Sequence, residues 1–205
     1  HVQKYSKQMR NYFIKELFKN KKLLEKLFIQ QRNFNDIGKE TNWAKKLNPK
    51  KTKITSSFLR DNKKYILILP HVMIDGMFFA KWSLYNTPYN WFIETLKIIK
   101  HIKNVNWIIK PHPSEEFFNT DLKTKNIFYK YINEEDKHIN FFENNTDLKI
   151  FEKKVFSVIT CFGSSGYEYP SIGIPCITTA DSRYEHFKVS ESIRSLKKYK
   201  YIPNE

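Results

Sequence analysis

The chain is short of several residue types, and each shortage removes a class of protein. It has two cysteines in 205 residues, Cys161 and Cys176, too few for a disulfide framework or a cysteine-built zinc site. Both sit in apolar, strand-like stretches and read as buried thiols of a reducing compartment. There is no run of roughly 18 uninterrupted apolar residues, so the sequence holds no spanning helix. There is no signal-peptide pattern at His1 and no initiating Met, so the expectation is a piece of a longer protein. Arginine is limited to Arg10, Arg32, Arg60, Arg183 and Arg194, and alanine to Ala44, Ala80 and Ala180. The five glycines stand at 38, 76, 163, 166 and 173.

What is abundant needs care. Lysine and arginine total 36 against 21 acids, a formal charge of +15, and nearly all of the basicity is lysine. Lys, Asn, Ile, Phe and Tyr, all frequent, have A/T-rich codons; the scarce Ala, Gly and Arg have G/C-rich ones. A genome of low G+C content explains much of the lysine, so net charge is weak evidence for nucleic acid. It still predicts attraction to anionic ligands and anionic membrane surfaces. With 40% hydrophobic and 16% aromatic residues the chain can bury a core. Its length suits one domain with an appendage, or two small domains.

Residues 1–30 have the period of a basic amphipathic helix, with Ile14, Leu17, Phe18, Leu24, Leu27 and Phe28 on one face. Such a helix packs on its own domain or lies in a membrane interface. Residues 31–63, with Asn48-Pro49 and the run Lys50–Lys53, read as a linker. The domain boundary is therefore placed at 63/64. From Tyr65 the pattern alternates. Strands are expected at Tyr65–Leu69, Val105–Ile109, Ile139–Phe142, Val155–Thr160 and Pro175–Thr179. Helices are expected at Trp91–Lys103, Asp121–Tyr131, Asp147–Lys153 and Gly166–Ile172. This alternation predicts an α/β fold, a Rossmann-like parallel sheet with helices on both faces, preceded by an N-terminal helical segment.

In such a sheet, ligands bind beyond the carboxyl ends of the strands. Lys110-Pro111-His112-Pro113 follows the second strand. Two prolines restrict the backbone around His112, which beside Lys110 can donate to a phosphate oxygen and support its charge. The alternative is a surface histidine in a rigid turn. Gly163-Ser164-Ser165-Gly166 follows the fourth strand. Free backbone N–H groups and two hydroxyls there suit a phosphate; the alternative is an ordinary turn with a serine cap. It is not a Walker loop, since no Gly-Lys-Ser/Thr follows. Glu168, one turn further, can accept from vicinal sugar hydroxyls or simply suit the helix dipole. Asp75, before Gly76, is either a base or acceptor-hydroxyl ligand or half of a turn-forming Asp-Gly pair. His112 and the serines are expected on neighbouring strand tips, gripping one phosphate group between them.

These motifs carry a resemblance. Ile-Lys-Pro-His-Pro (109–113), Ser-Val-Ile-Thr-Cys-Phe-Gly-Ser-Ser-Gly-Tyr-Glu (157–168) and Gly-Ile-Pro-Cys-Ile (173–177) resemble the C-terminal half of GT-B glycosyltransferases. More narrowly, they are similar to bacterial surface- and capsule-polysaccharide enzymes such as Kdo and sialic acid transferases. The likeness covers about residues 65–187. It implies that His112, Ser164 and Ser165 hold the donor phosphate, with Lys110 and Gly166 beside them, and that Glu168 binds the ribose. It puts Asp75 forward as catalytic base, although the family's acidic motif has two acids before the glycine and Ile74 stands in place of the first. A GT-B enzyme has two Rossmann-like domains, so the N-terminal one is expected elsewhere in a longer protein.

The activity so implied is inverting transfer of a sugar from a nucleotide-sugar donor, a CMP-sugar first, to a glycan or lipid-linked acceptor. No cofactor is expected, and no metal, since no Asp-x-Asp motif occurs. The expected location is cytoplasmic, either free or at the inner face of the cytoplasmic membrane. Other expectations are a CDP-glycerol-type transferase or a nucleotide-sugar 2-epimerase on the same fold. A basic nucleic-acid-binding domain is the alternative of another class; no recognised module supports it, and nucleic acid is not expected as a partner.

Overall fold

The computed structural model describes residues 65–75, 80–144, 146, 154–182 and 184–201. The helix expected at 1–30, the linker at 31–63 with its boundary, the helix at 147–153, Gly38 and Gly76 lie outside the described residues. Among the described residues six strands form one parallel sheet: β1 (Tyr65–Ile68), β2 (Asn106–Ile109), β3 (Ile139–Phe141), β4 (Val155–Thr160), β5 (Cys176–Thr178) and β6 (Glu191–Ser192). Their order is β3-β2-β1-β4-β5-β6. The chain winds outward from β1 through β2 and β3, then crosses to β4 and winds the other way. The point of reversal lies between β1 and β4, the place beside which open α/β sheets bind ligands.

The helices are α1 (Pro88–Lys100), α2 (Thr124–Tyr131), α3 (Ser165–Glu168) and α4 (Leu196–Tyr201). β1 and β2 are buried at every position, because both faces of the sheet are covered and each strand is a continuous apolar run. On one face Ile66, Ile68, Trp107, Ile109, Ile159 and Cys161 pack with Trp91, Phe92, Leu96 and Ile99 of α1, Ile127 and Phe128 of α2, and Tyr199 of α4. On the other, Tyr65, Leu67, Ile108, Val155, Val158 and Cys176 pack with Tyr169 and Ile174. The architecture is the expected α/β Rossmann-like sheet.

Local differences from expectation have local causes. α1 begins at Pro88, ahead of the expected Trp91, because Thr87 accepts the Asn90 N–H at 3.0 Å and Pro88 fits the first helical position. β4 lies where a strand was expected, yet Phe156 within it is 54% exposed. Tyr65 pairs with Val155 and Ile66 with Ser157, leaving Phe156 as an extra residue that bulges outward. The bulge shifts the alternation, so Val155 and Val158 share one face. β6 and α4 were not expected. α4 is held by Tyr199: the Thr95 hydroxyl donates to the Trp91 carbonyl at 2.7 Å, so it accepts from Tyr199 Oη at 2.6 Å. No helix among the described residues is long and apolar enough to cross a membrane.

Candidate phosphate site at the reversal point

β1 and β2 pair with Ile68 opposite Ile109. Each is followed by the same ending, Ile68-Leu69-Pro70-His71 and Ile109-Lys110-Pro111-His112. Proline cannot donate to the ladder and fixes its own φ, so both strands stop at one level and two imidazoles emerge side by side. Their ring centroids are 5.1 Å apart. On the β4 side His71 stacks on Phe162, centroids 4.1 Å apart and planes 19° apart. The Thr160 hydroxyl lies 2.9 Å from the carbonyls of both Leu69 and Phe162, fastening the β1 and β4 tips together.

His112 is fixed in orientation and in tautomer. Its Nδ1 accepts the Ser114 backbone N–H at 3.1 Å, so Nδ1 is bare and Nε2 carries the proton. Burial, then His71, then Lys110 pull its pKa down to about 4, against a weaker opposing effect of Asp75. In the free chain His112 is thus a neutral N–H donor at physiological pH, and the positive charge on this rim belongs to buried Lys110. The turn carrying His112 is braced from below. The Glu115 carboxylate, 6% exposed, accepts the Thr124 N–H at 2.8 Å and the Thr124 hydroxyl at 2.5 Å. Asn144, after β3, donates to the Pro113 carbonyl at 3.1 Å.

On the β4 side, Gly163 has φ +116°, a conformation open to glycine. A Cβ there would lie 3.7 Å from His71 Cδ2, so this loop runs against the imidazole. Ser164 is exposed, and its side chain makes no cap hydrogen bond; the serine-cap alternative is not what is seen. Among the described residues no backbone acceptor takes the N–H groups of Gly163, Ser164 or Ser165. Gly166 serves a different purpose. A Cβ on it would sit 1.9 Å from Tyr184 Oη, and Tyr184 Oη donates to the Gly163 carbonyl at 2.6 Å. Gly166 makes room for the tyrosine that holds the Gly163 loop.

Asp75 is half exposed, with Oδ2 at 3.4 Å from His71 Nδ1. Glu168 is half-buried at the end of α3, and its backbone carbonyl accepts from Ser171 at 2.6 Å. No contact among the described residues joins Glu168 to either histidine. The expectation of neighbouring strand tips needs correction: β1 lies between β2 and β4, so the His112 and serine edges are one strand apart, and His71 occupies the gap. With parallel strands about 4.8 Å apart, the two edges stand about 10 Å apart. Cys161 and Cys176 are buried free thiols, pushed up to about 12 by burial, and take no part.

Three residues that shape the site lie on the polar loops after the strands but were given no role from sequence: His71, Glu115 and Tyr184. The signal for His71 was present, as the repeated Ile-x-Pro-His at equivalent strand ends. Nothing local marked Glu115 or Tyr184, whose partners are Thr124 and Gly163 in other segments.

No protein-family model matches the chain, and no curated protein sequence matches it. Solved structures do show likeness. The beta Kdo 2,4 transferase KpsC of Thermosulfurimonas dismutans is similar over 72% of this chain and 43% of its own, with TM-score 0.48 and 8% identity. The beta Kdo 2,7 transferase KpsC of the same organism is similar over 65% and 39%, with TM-score 0.43 and 19% identity. The UDP-GlcNAc 2-epimerase from Neisseria meningitidis, bound to UDP-GlcNAc, is similar over 71% and 34%, with TM-score 0.41 and 19% identity. The chain thus spans less than half the length of each of these proteins. The α/β architecture itself rests on the sheet described above.

Proposed function

We propose that residues 64–205 form the donor-binding domain of an inverting, metal-independent glycosyltransferase, which moves a sugar from a nucleotide-activated donor to a surface or capsular glycan. A CMP-sugar is the first candidate. The observation that carries the proposal is the reversal point of the sheet, which has a fixed neutral imidazole N–H on one side and, on the other, a glycine loop whose N–H groups meet no backbone acceptor among the described residues. These are donors for an oxyanion, placed where open α/β sheets bind ligands. The sequence resemblance supplies the nucleotide sugar.

In the proposed reaction the acceptor hydroxyl attacks the anomeric carbon and passes its proton to a general base. The bond from that carbon to the phosphate oxygen breaks, and the electron pair leaves with the phosphate. His112 Nε2–H, the nearby charge of Lys110, and the Gly163–Ser165 edge stabilise the negative charge that develops there. A second Rossmann-like domain holds the acceptor, and the enzyme works at the inner face of the cytoplasmic membrane.

The test is calorimetric titration of the full chain with CMP, CDP and UDP, repeated with His112→Ala. Removing one hydrogen bond to a charged group weakens binding by about 10- to 100-fold. No binding to the wild-type chain, or equal binding to the variant, contradicts the proposal. Acceptor-free turnover of UDP-GlcNAc would move the assignment to a 2-epimerase, and selective binding of CDP to a glycerol-phosphate transferase.

A further inference from the structure

His71 stands between the two halves of the phosphate site and is used by neither. Its Nδ1 is fully buried and makes no hydrogen bond among the described residues. Asp75 Oδ2 lies 3.4 Å from it. An imidazole lone pair facing a carboxylate oxygen is repelled, whereas an N–H facing it is attracted. The proton therefore belongs on Nδ1, and Nε2 is left bare. The opposite edge of the ring, which carries Cδ2 and Nε2, is turned toward the Gly163 loop, since a Cβ on Gly163 would meet Cδ2 at 3.7 Å. His112 has the reverse arrangement, with Nδ1 accepting from Ser114 and Nε2 protonated. Two adjacent imidazoles thus present opposite hydrogen-bond polarity. Burial lowers the pKa of His71, outweighing the opposing pull of Asp75 and of a backbone bond to Val72. The other groups facing it are the His112 ring and the Phe162 ring.

We propose that Asp75 is a positioning residue that holds His71 as a hydrogen-bond acceptor beside the donor His112, so that the site recognises a hydroxyl lying next to an oxyanion oxygen. A P–OH meets that description, and so does a sugar hydroxyl flanking a phosphate. A fully ionised oxyanion without a hydroxyl does not, because it leaves His71 Nε2 facing another lone pair. The proposal rests on the phosphate site described under the proposed function and assigns its polarity.

Inorganic phosphate and sulfate are the minimal probes, being alike in size, with a P–OH at neutral pH only in phosphate. The wild-type chain should bind phosphate at least about tenfold more tightly than sulfate, the effect of one buried acceptor left unmatched. His71→Phe keeps the ring stack on Phe162 and removes the acceptor, so the preference should fall to within about twofold, with sulfate bound at least as tightly as by the wild-type chain. Long-range proton–nitrogen spectra of the histidines in the free chain report the tautomers directly. They should show Nδ1–H on His71 and Nε2–H on His112. In Asp75→Ala, His71 should lose its Nδ1–H preference while His112 is unchanged. The same tautomer on both rings, a His71 indifferent to Asp75→Ala, or a phosphate preference that survives His71→Phe overturns the proposal. Uptake of neither anion by the wild-type chain overturns the phosphate site itself, and this polarity with it; binding of both without preference overturns the polarity alone.

Discussion

Gly166→Ala should cost about 3 kcal/mol of unfolding free energy, the upper end of what overpacking a filled site costs. The reason is not backbone freedom. The added Cβ would fall 1.9 Å from Tyr184 Oη, 2.5 Å from Cζ and 2.7 Å from Cε2, so no rotation of the hydroxyl relieves it and the whole ring has to move. Moving the ring breaks the 2.6 Å bond from Tyr184 to the Gly163 carbonyl, which is left with the Gly166 N–H at 3.2 Å alone. Denaturant unfolding of the single variant, of Tyr184→Leu and of the double variant measures this. The double variant should be more stable than the sum of the two single losses predicts, because the two positions share one clash. Strict additivity would mean that Gly166 and Tyr184 do not meet.

Glu115→Ala should be nearly as damaging, at about 2–4 kcal/mol, since it strips one acceptor from two buried donors. Thr124 is completely buried, and both its N–H and its hydroxyl end on Glu115 Oε1. Glu115→Gln keeps an oxygen at that position and should restore most of the loss. The effect should also reach the ligand. Ser114, whose N–H orients His112, precedes Glu115 in the same turn, so nucleotide affinity should fall with Glu115→Ala. It should not fall with Tyr199→Phe, which removes a buried hydroxyl from the Thr95 pair far along the chain. Loss of stability without loss of affinity in Glu115→Ala would separate the brace from the site.

The parallel sheet was legible because its central strands are buried on both faces and carry continuous apolar runs ended by proline or glycine. β6, two residues long with Glu191 exposed, has neither a run nor an alternation to detect. The bulge at Phe156 comes from pairing with β1 and leaves no mark within its own segment. In the site, His112 and the Gly163–Gly166 loop stood out because proline and glycine report backbone geometry directly. The strand order did not, since adjacency of β1 to both β2 and β4 is a long-range property. This is why the serine edge was placed beside His112 and the residue between them was passed over. Gly166 was read as part of an anion loop, and its close approach to Tyr184, 18 residues on, became visible only in the fold.

The central claim is that one phosphate group is held jointly by the β2 and β4 tips. It is tested most directly by following the His112 imidazole and the backbone amides of Gly163, Ser164 and Ser165 by NMR while CMP is added to the full chain. All four should shift together and saturate at one dissociation constant, with the amides of β6 and α4 unmoved. Saturation of the His112 signal while the three loop amides stay still, or the reverse, would show that the two tips do not share a ligand.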